Sequence, residues 1–143
     1  MKKFCCLGII LAAYIPLCGI CGSEGRKNLP LRRAILGHWR KATRGSSEYE
    51  YRPTFKLVSK AKDGSPSIRT WKILSESGET LKIKVVGVSS WDESIYELEQ
   101  EMKFSEDRNR ITVTKTTIKS SYKAQIGKAS TYELIYVDGK QRP

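Results

Sequence analysis

Residues 89–107 read SSWDESIYELEQEMKFSED, and the architecture turns on whether this stretch is helix or strand. Its glutamates, leucine and methionine favour helix by propensity alone. From residue 95 onward, however, Tyr96, Leu98, Met102 and Phe104 fall on one parity, while Glu97, Glu99, Glu101 and Lys103 fall on the other. A helix, turning about 100° per residue, would scatter both sets around its circumference. A pleated strand sends them to opposite faces. The stretch therefore reads as a strand with one apolar face and one solvated face.

The same period-two signal recurs along the chain. ETLKIKVVGV (79–88) sets Leu81, Ile83 and Val85 against Lys82 and Lys84. EYEYRPTFKL (48–57) sets Tyr49, Tyr51, Phe55 and Leu57 against Glu48, Glu50, Arg52, Thr54 and Lys56. It reads as one strand, in which Pro53, lacking a ladder donor, marks an edge or a bulge. Shorter alternating pieces are HWRKA after Gly37, IRTWKIL with Trp71 and Ile73, RITVTKTTI with Ile111 and Val113, and TYELIYV with Tyr132, Leu134 and Tyr136. Turn-forming clusters separate them: KDGSPS (62–67), SESGE (75–79), SEDRN (105–109) and QIGKAS (125–130). This gives seven strands, with SSYKAQI (120–126) as an eighth candidate.

Short connections make successive strands antiparallel neighbours. Strands with one apolar face and no helix to cover it must bury that face on one another. The expected fold is all-β: an up-and-down meander of seven to eight strands closing into a small barrel, which also removes exposed edges. A sandwich is the alternative, but it usually needs crossovers.

The N-terminal stretch MKKFCCLGIILAAYIPLCGICGSEG (1–25) is of another kind. Lys2 and Lys3 precede an uncharged run from Phe4 to Cys21, and small residues follow at Gly22 and Ser23. That is the plan of a secretory signal, expected over 1–22 and implying a secreted or periplasmic destination. A polar tether over 23–34, the barrel over 35–138 and a tail over 139–143 complete the expected organisation. All four cysteines, Cys5, Cys6, Cys18 and Cys21, lie in the signal segment. Cleavage after Cys21 or Gly22 would leave no thiol for a disulfide, a zinc site or a nucleophile. The alternatives are an uncleaved anchor or a lipid on Cys18 or Cys21, which would hold the protein at a membrane.

Against this background AILGHWRKA (34–42) resembles the opening of the lipocalin-like barrels, in which a Gly-x-Trp motif begins the first strand after a short helical turn. The matching residues are Leu36, Gly37 and Trp39, preceded by PLRRAIL as the short helix. The tyrosine-rich second strand, TWKI, GETLKIKVVG and the closing TYELIYV are similar in pattern to small bacterial members of that family. The resemblance covers roughly residues 35–138. It implies that Trp39 plugs the barrel base, that Gly37 permits close backbone approach, and that a basic side chain packs on the indole. Lys140 and Arg142, beyond the last strand, are the candidates for that partner.

The expected function is binding without catalysis. His38, the only histidine, is of opposite parity to Trp39 and is expected on the surface, with no second imidazole or thiol to share a metal. There is no Gly-x-Ser-x-Gly elbow, phosphate loop or dinucleotide fingerprint, and Glu97, Glu99 and Glu101 read as a solvated strand face. No cofactor or metal is expected. Tyr49, Tyr51, Phe55, Trp71, Tyr96, Tyr132 and Tyr136 are expected inside, either lining a site for a small hydrophobic or amphipathic ligand or filling the barrel completely.

Lysine and arginine number 26 against 15 acidic residues, and removing Lys2 and Lys3 leaves 24, a net charge of +9. Such a surface attracts anions. Lys56, Arg69, Lys72, Lys82 and Lys84 are therefore expected as an outward face for an acidic protein or polyanion. Nucleic acid is not expected, because the aromatics lie on the parity opposite the lysines rather than beside them.

Overall fold

The computed structural model describes residues 25–43, 47–61 and 63–137. The expected signal, its cysteines, and Lys140 and Arg142 lie outside the described residues. A short helix, α1 (Leu31–Ala34), precedes eight strands: β1 (Gly37–Lys41), β2 (Glu48–Tyr51), β3 (Lys56–Lys60), β4 (Pro66–Ser77), β5 (Thr80–Val88), β6 (Ile95–Phe104), β7 (Arg110–Lys119) and β8 (Ala129–Tyr136). Each strand pairs antiparallel with the next, and β8 returns to β1 with Trp39 opposite Tyr136, closing the barrel. Within the 89–107 stretch the strand is β6, from Ile95 onward, with Leu98, Met102 and Phe104 buried.

The eighth strand does not come from where the sequence suggested. SSYKAQI is a connection carrying a 3-10 turn over Lys123–Gln125, and EYEYRPTFKL is two strands rather than one. The chain reverses at residues 52–55, where the Arg52 and Lys56 backbones meet (N–H to O 2.9 Å) and the Phe55 N–H donates to Arg52 O at 3.0 Å. Pro53 is thus a turn residue, as its fixed φ allows. Tyr51 faces Leu57 directly across the hairpin, so both are buried although the chain has reversed between them. An even separation keeps the parity running through the turn and hides it. Phe55, expected inside, takes φ +58 in this turn and is 53 % exposed, its ring resting against Trp71 at 5.2 Å between centroids.

One end of the barrel is sealed. Leu31, Ala34 and Ile35 are buried there, and the Leu31 N–H donates to the Glu76 carboxylate at 3.2 Å while Arg32 Nε pairs with the other oxygen at 3.0 Å. Trp39 is wholly buried, donates Nε1–H to Ile35 O at 2.7 Å, and meets Tyr136 and Phe104 edge-on at 5.3 and 6.3 Å. Among the described residues the basic group over this cluster is Arg26, from before the barrel. Arg26 lies 3.4 Å from the Tyr136 ring centre and 5.3 Å from that of Trp39, and donates to the carbonyls of Ala34 and Arg108. Part of the 23–34 stretch is therefore built into the base.

Gly37 opens β1 at φ +116, a conformation that side chains resist, and a Cβ there would stand 3.0 Å from Tyr136 Cε2. Gly37→Val is accordingly expected to lower stability by about 1–3 kcal/mol, through backbone strain and displacement of the Tyr136 ring. Urea unfolding checks this, and an unchanged midpoint would mean that the base tolerates a side chain at this point.

Candidate functional site

In an up-and-down barrel alternate connections lie at the same end. The turns at 52–55, 78–79 and 105–109 therefore share the sealed end with α1, and the connections after β3, β5 and β7 ring the opposite one. That opposite end is open. It holds a cavity of about 670 Å³.

Its inner wall carries Tyr49, Ser59, Arg69, Tyr96, Leu98 and Thr117. Its mouth carries two large rings, Trp91 (88 % exposed) and Tyr122 (59 % exposed). Beneath it the interior is filled by Leu57, Trp71, Ile83, Val85, Met102 and Val113, all buried. The barrel is thus part core and part vessel.

The seven aromatics expected inside divide among four environments. Tyr49 and Tyr96 line the cavity. Tyr132 stacks on Tyr49 at 6.2 Å and 16°. Tyr51 is buried below, donating to Gln100 Oε1 at 3.3 Å and meeting Trp71 edge-on at 5.9 Å. Trp71 belongs to the core, Tyr136 to the sealed base and Phe55 to the outer surface.

The basic residues also divide. Arg69 was expected outward with Lys56, Lys72, Lys82 and Lys84, but its place in β4 is opposite Leu57 and of Trp71's parity, which turns it inward. There it is the one charged side chain among those lining the cavity. One guanidinium nitrogen, Nη2, donates to Ser59 Oγ at 2.5 Å, and Nε is buried without an acceptor. Gly87 makes the room: a Cβ on it would stand 2.9 Å from Arg69 Cγ and collide with the Tyr96 hydroxyl.

Outside, Lys82 pairs with Glu101 at 3.1 Å and Lys84 with Glu97, so the lysines of β5 are answered by the glutamates of β6. The hydrogen bond from Lys84 holds the Glu97 carboxyl below its ordinary range. Lys56 and Lys72 are exposed. His38 lies across from Glu50, Nε2 to Oε1 3.8 Å.

Three inward polar groups were missed in the sequence, although the parity rule points to each. Gln100, between Leu98 and Met102, is buried and links Tyr51 to Tyr132, to whose hydroxyl it donates at 3.4 Å. Lys115 continues the inward row of Ile111 and Val113, and Lys41 that of Trp39. The Lys41 ammonium sits 4.7 Å from the Tyr132 ring centre. Burial, and after it the charges of Lys41 and Arg69, push the Lys115 ammonium below its ordinary pKa.

Compared with protein-family models, with curated proteins and with solved structures, the chain matches none.

Proposed function

We propose that this chain is an exported, non-enzymatic, lipocalin-like barrel that holds a small amphipathic ligand in the cavity at its open end. The observation that carries the reading is the division of the interior. A packed core and a capped base fill one part, and the other is a vessel of about 670 Å³ with aromatic, hydroxyl and aliphatic walls. That size and mixture are those of small-molecule sites. Support for the lipocalin-like assignment comes from the Gly37–Trp39 motif on β1, the helical turn before it, and the Arg26 guanidinium over the Trp39–Tyr136 pair. Export rests on the pattern of residues 1–22. A basic face for an acidic partner is the second reading of the sequence. The ion pairs of Lys82 and Lys84 with β6 favour the cavity over it.

Trp91 at the mouth is a reporter for the test. Titration of the full chain with N-phenylnaphthylamine is expected to give one saturable site in the micromolar range and a blue shift of tryptophan emission. The shift should vanish in Trp91→Phe, since Trp39 and Trp71 are already buried. Thr117→Trp, which sets a large ring into the cavity wall, should weaken binding by roughly tenfold or more. Binding that is absent, or indifferent to Thr117→Trp, would overturn the reading.

A further inference from the structure

The cavity wall carries a charge with no counter-charge. Arg69 is the one ionised group among the lining residues, and among the described residues no carboxylate pairs with it or with Lys115. Arg32, Arg52, Arg108 and Arg110 each have a carboxylate, as do Lys82 and Lys84. Basic residues without one, such as Arg33, Arg40, Lys56, Lys60 and Lys72, are exposed to water, whereas Arg69 is half-buried in the cavity wall. A guanidinium drawn into a barrel mouth, with Nε shielded from water and from any acceptor, is a disfavoured arrangement unless something occupies it. On the reading of the cavity as a ligand site, we infer that Arg69 is the anchor for the anionic head of the ligand, which is a small amphiphile ending in a carboxylate or a like oxyanion.

Four features of the site agree with that assignment. The planar fork of arginine matches a carboxylate in two parallel hydrogen bonds. Ser59 accepts from Nη2, which orients the guanidinium and leaves the serine hydrogen to donate to the same anion. Gly87 lets the Arg69 stem lie flat against β5 beside the Tyr96 ring, so the fork is held by packing rather than by a competing acid. Lys115 and Lys41 stand close enough for their charges to act on one another and on the same interior. Arg69 also bears on Lys115, and an anion beside Arg69 would relieve the repulsion that Lys115 feels. The remaining wall suits the rest of such a molecule: Leu98, Tyr49 and Tyr96 for an apolar body, and the rings at the mouth for the end nearest water.

The test compares two ligands that differ in the head alone. Decanoate and decanol are titrated into the full chain by displacement of N-phenylnaphthylamine, in parallel with Arg69→Gln and with Lys82→Gln, which removes the same charge from the outer face. Decanoate is expected to bind tighter than decanol by roughly tenfold or more, as hydrogen bonds to a charged group imply. Arg69→Gln should abolish that preference, weakening decanoate far more than decanol, and Lys82→Gln should leave it intact. Equal binding of the two ligands to the natural chain would overturn the anchor and leave the cavity reading standing. Failure of both ligands, and of the probe, to bind would overturn the cavity reading and the anchor with it. A similar loss of decanoate in both variants would assign the effect to overall charge and overturn the anchor. Should Arg69→Gln not fold, Ser59→Ala serves the same purpose. A loss confined to decanoate supports the anchor, and an equal change for both ligands overturns it.

Discussion

Trp39→Ala is expected to lower the unfolding free energy by about 3–5 kcal/mol, read as a shift of the urea midpoint at constant slope. Trp39 has no exposed surface, and its ring is the piece on which the sealed end converges. Phe104 from β6 and Tyr136 from β8 meet it edge-on, Ile35 accepts its indole hydrogen, and Arg26 covers the far side. Removing the ring opens a void between elements distant in sequence, and none can close in without leaving its strand register. It also strips the Ile35 carbonyl of its donor. The motif's glycine and the covering guanidinium should matter less. Arg26→Met, which keeps much of the apolar stem, is expected to cost about 1 kcal/mol through the lost cation–π contact. Because Arg26 and Trp39 touch, the double variant should fall short of the sum of the single ones. A midpoint unmoved by Trp39→Ala would mean that the base is not a plug and that the likeness to a lipocalin opening is coincidental.

The parts of this architecture legible in the sequence are those where one face is apolar throughout. Leu81, Ile83 and Val85 against Lys82 and Lys84 left no other reading, and the structure buries the first set and pairs the lysines with glutamates. What was hidden follows from the same rule. Parity says which side a residue takes, but not when the chain turns round, so EYEYRPTFKL passed for one strand although residues 52–55 reverse it. Residue type also competed with position. Arg69, two places before Trp71, and Gln100, two places after Leu98, are inward by count, yet their polarity argued for the surface. A charge in a barrel wall is disfavoured for folding, and composition gives no hint that it will be tolerated. The ion pairs of β5 with β6 depend on register, which only the closed sheet supplies. The base partner Arg26 lay in a stretch whose composition is that of a linker.

Alkaline pH is expected to unfold this protein through two tyrosines. Tyr51 is fully enclosed and Tyr132 largely so, and burial, then the neighbouring tyrosines, raises the pKa of both well above the ordinary value of 10.0, with Arg69 acting weakly in the other direction. The sign follows directly. Below about pH 10 both phenols are neutral whether the chain is folded or not, and their contribution is level. Above it the unfolded chain releases two protons that the folded chain keeps, so stability falls by roughly 1.4 kcal/mol per pH unit for each tyrosine until its folded value is passed. The variant Tyr51→Phe with Tyr132→Phe should therefore be less stable near neutrality, because Gln100 loses the hydroxyls on both its sides, yet lose less stability as the pH rises. Between about pH 10 and 11 the slopes should differ by about 2–3 kcal/mol, which urea midpoints at the two values would measure. All other titratable groups are common to both proteins and cancel in the comparison. Equal slopes would mean that the two phenols ionise as they do in water. The open end would then reach past Tyr132 to the Gln100 layer, and the boundary between vessel and core would lie deeper, at Trp71 and Met102.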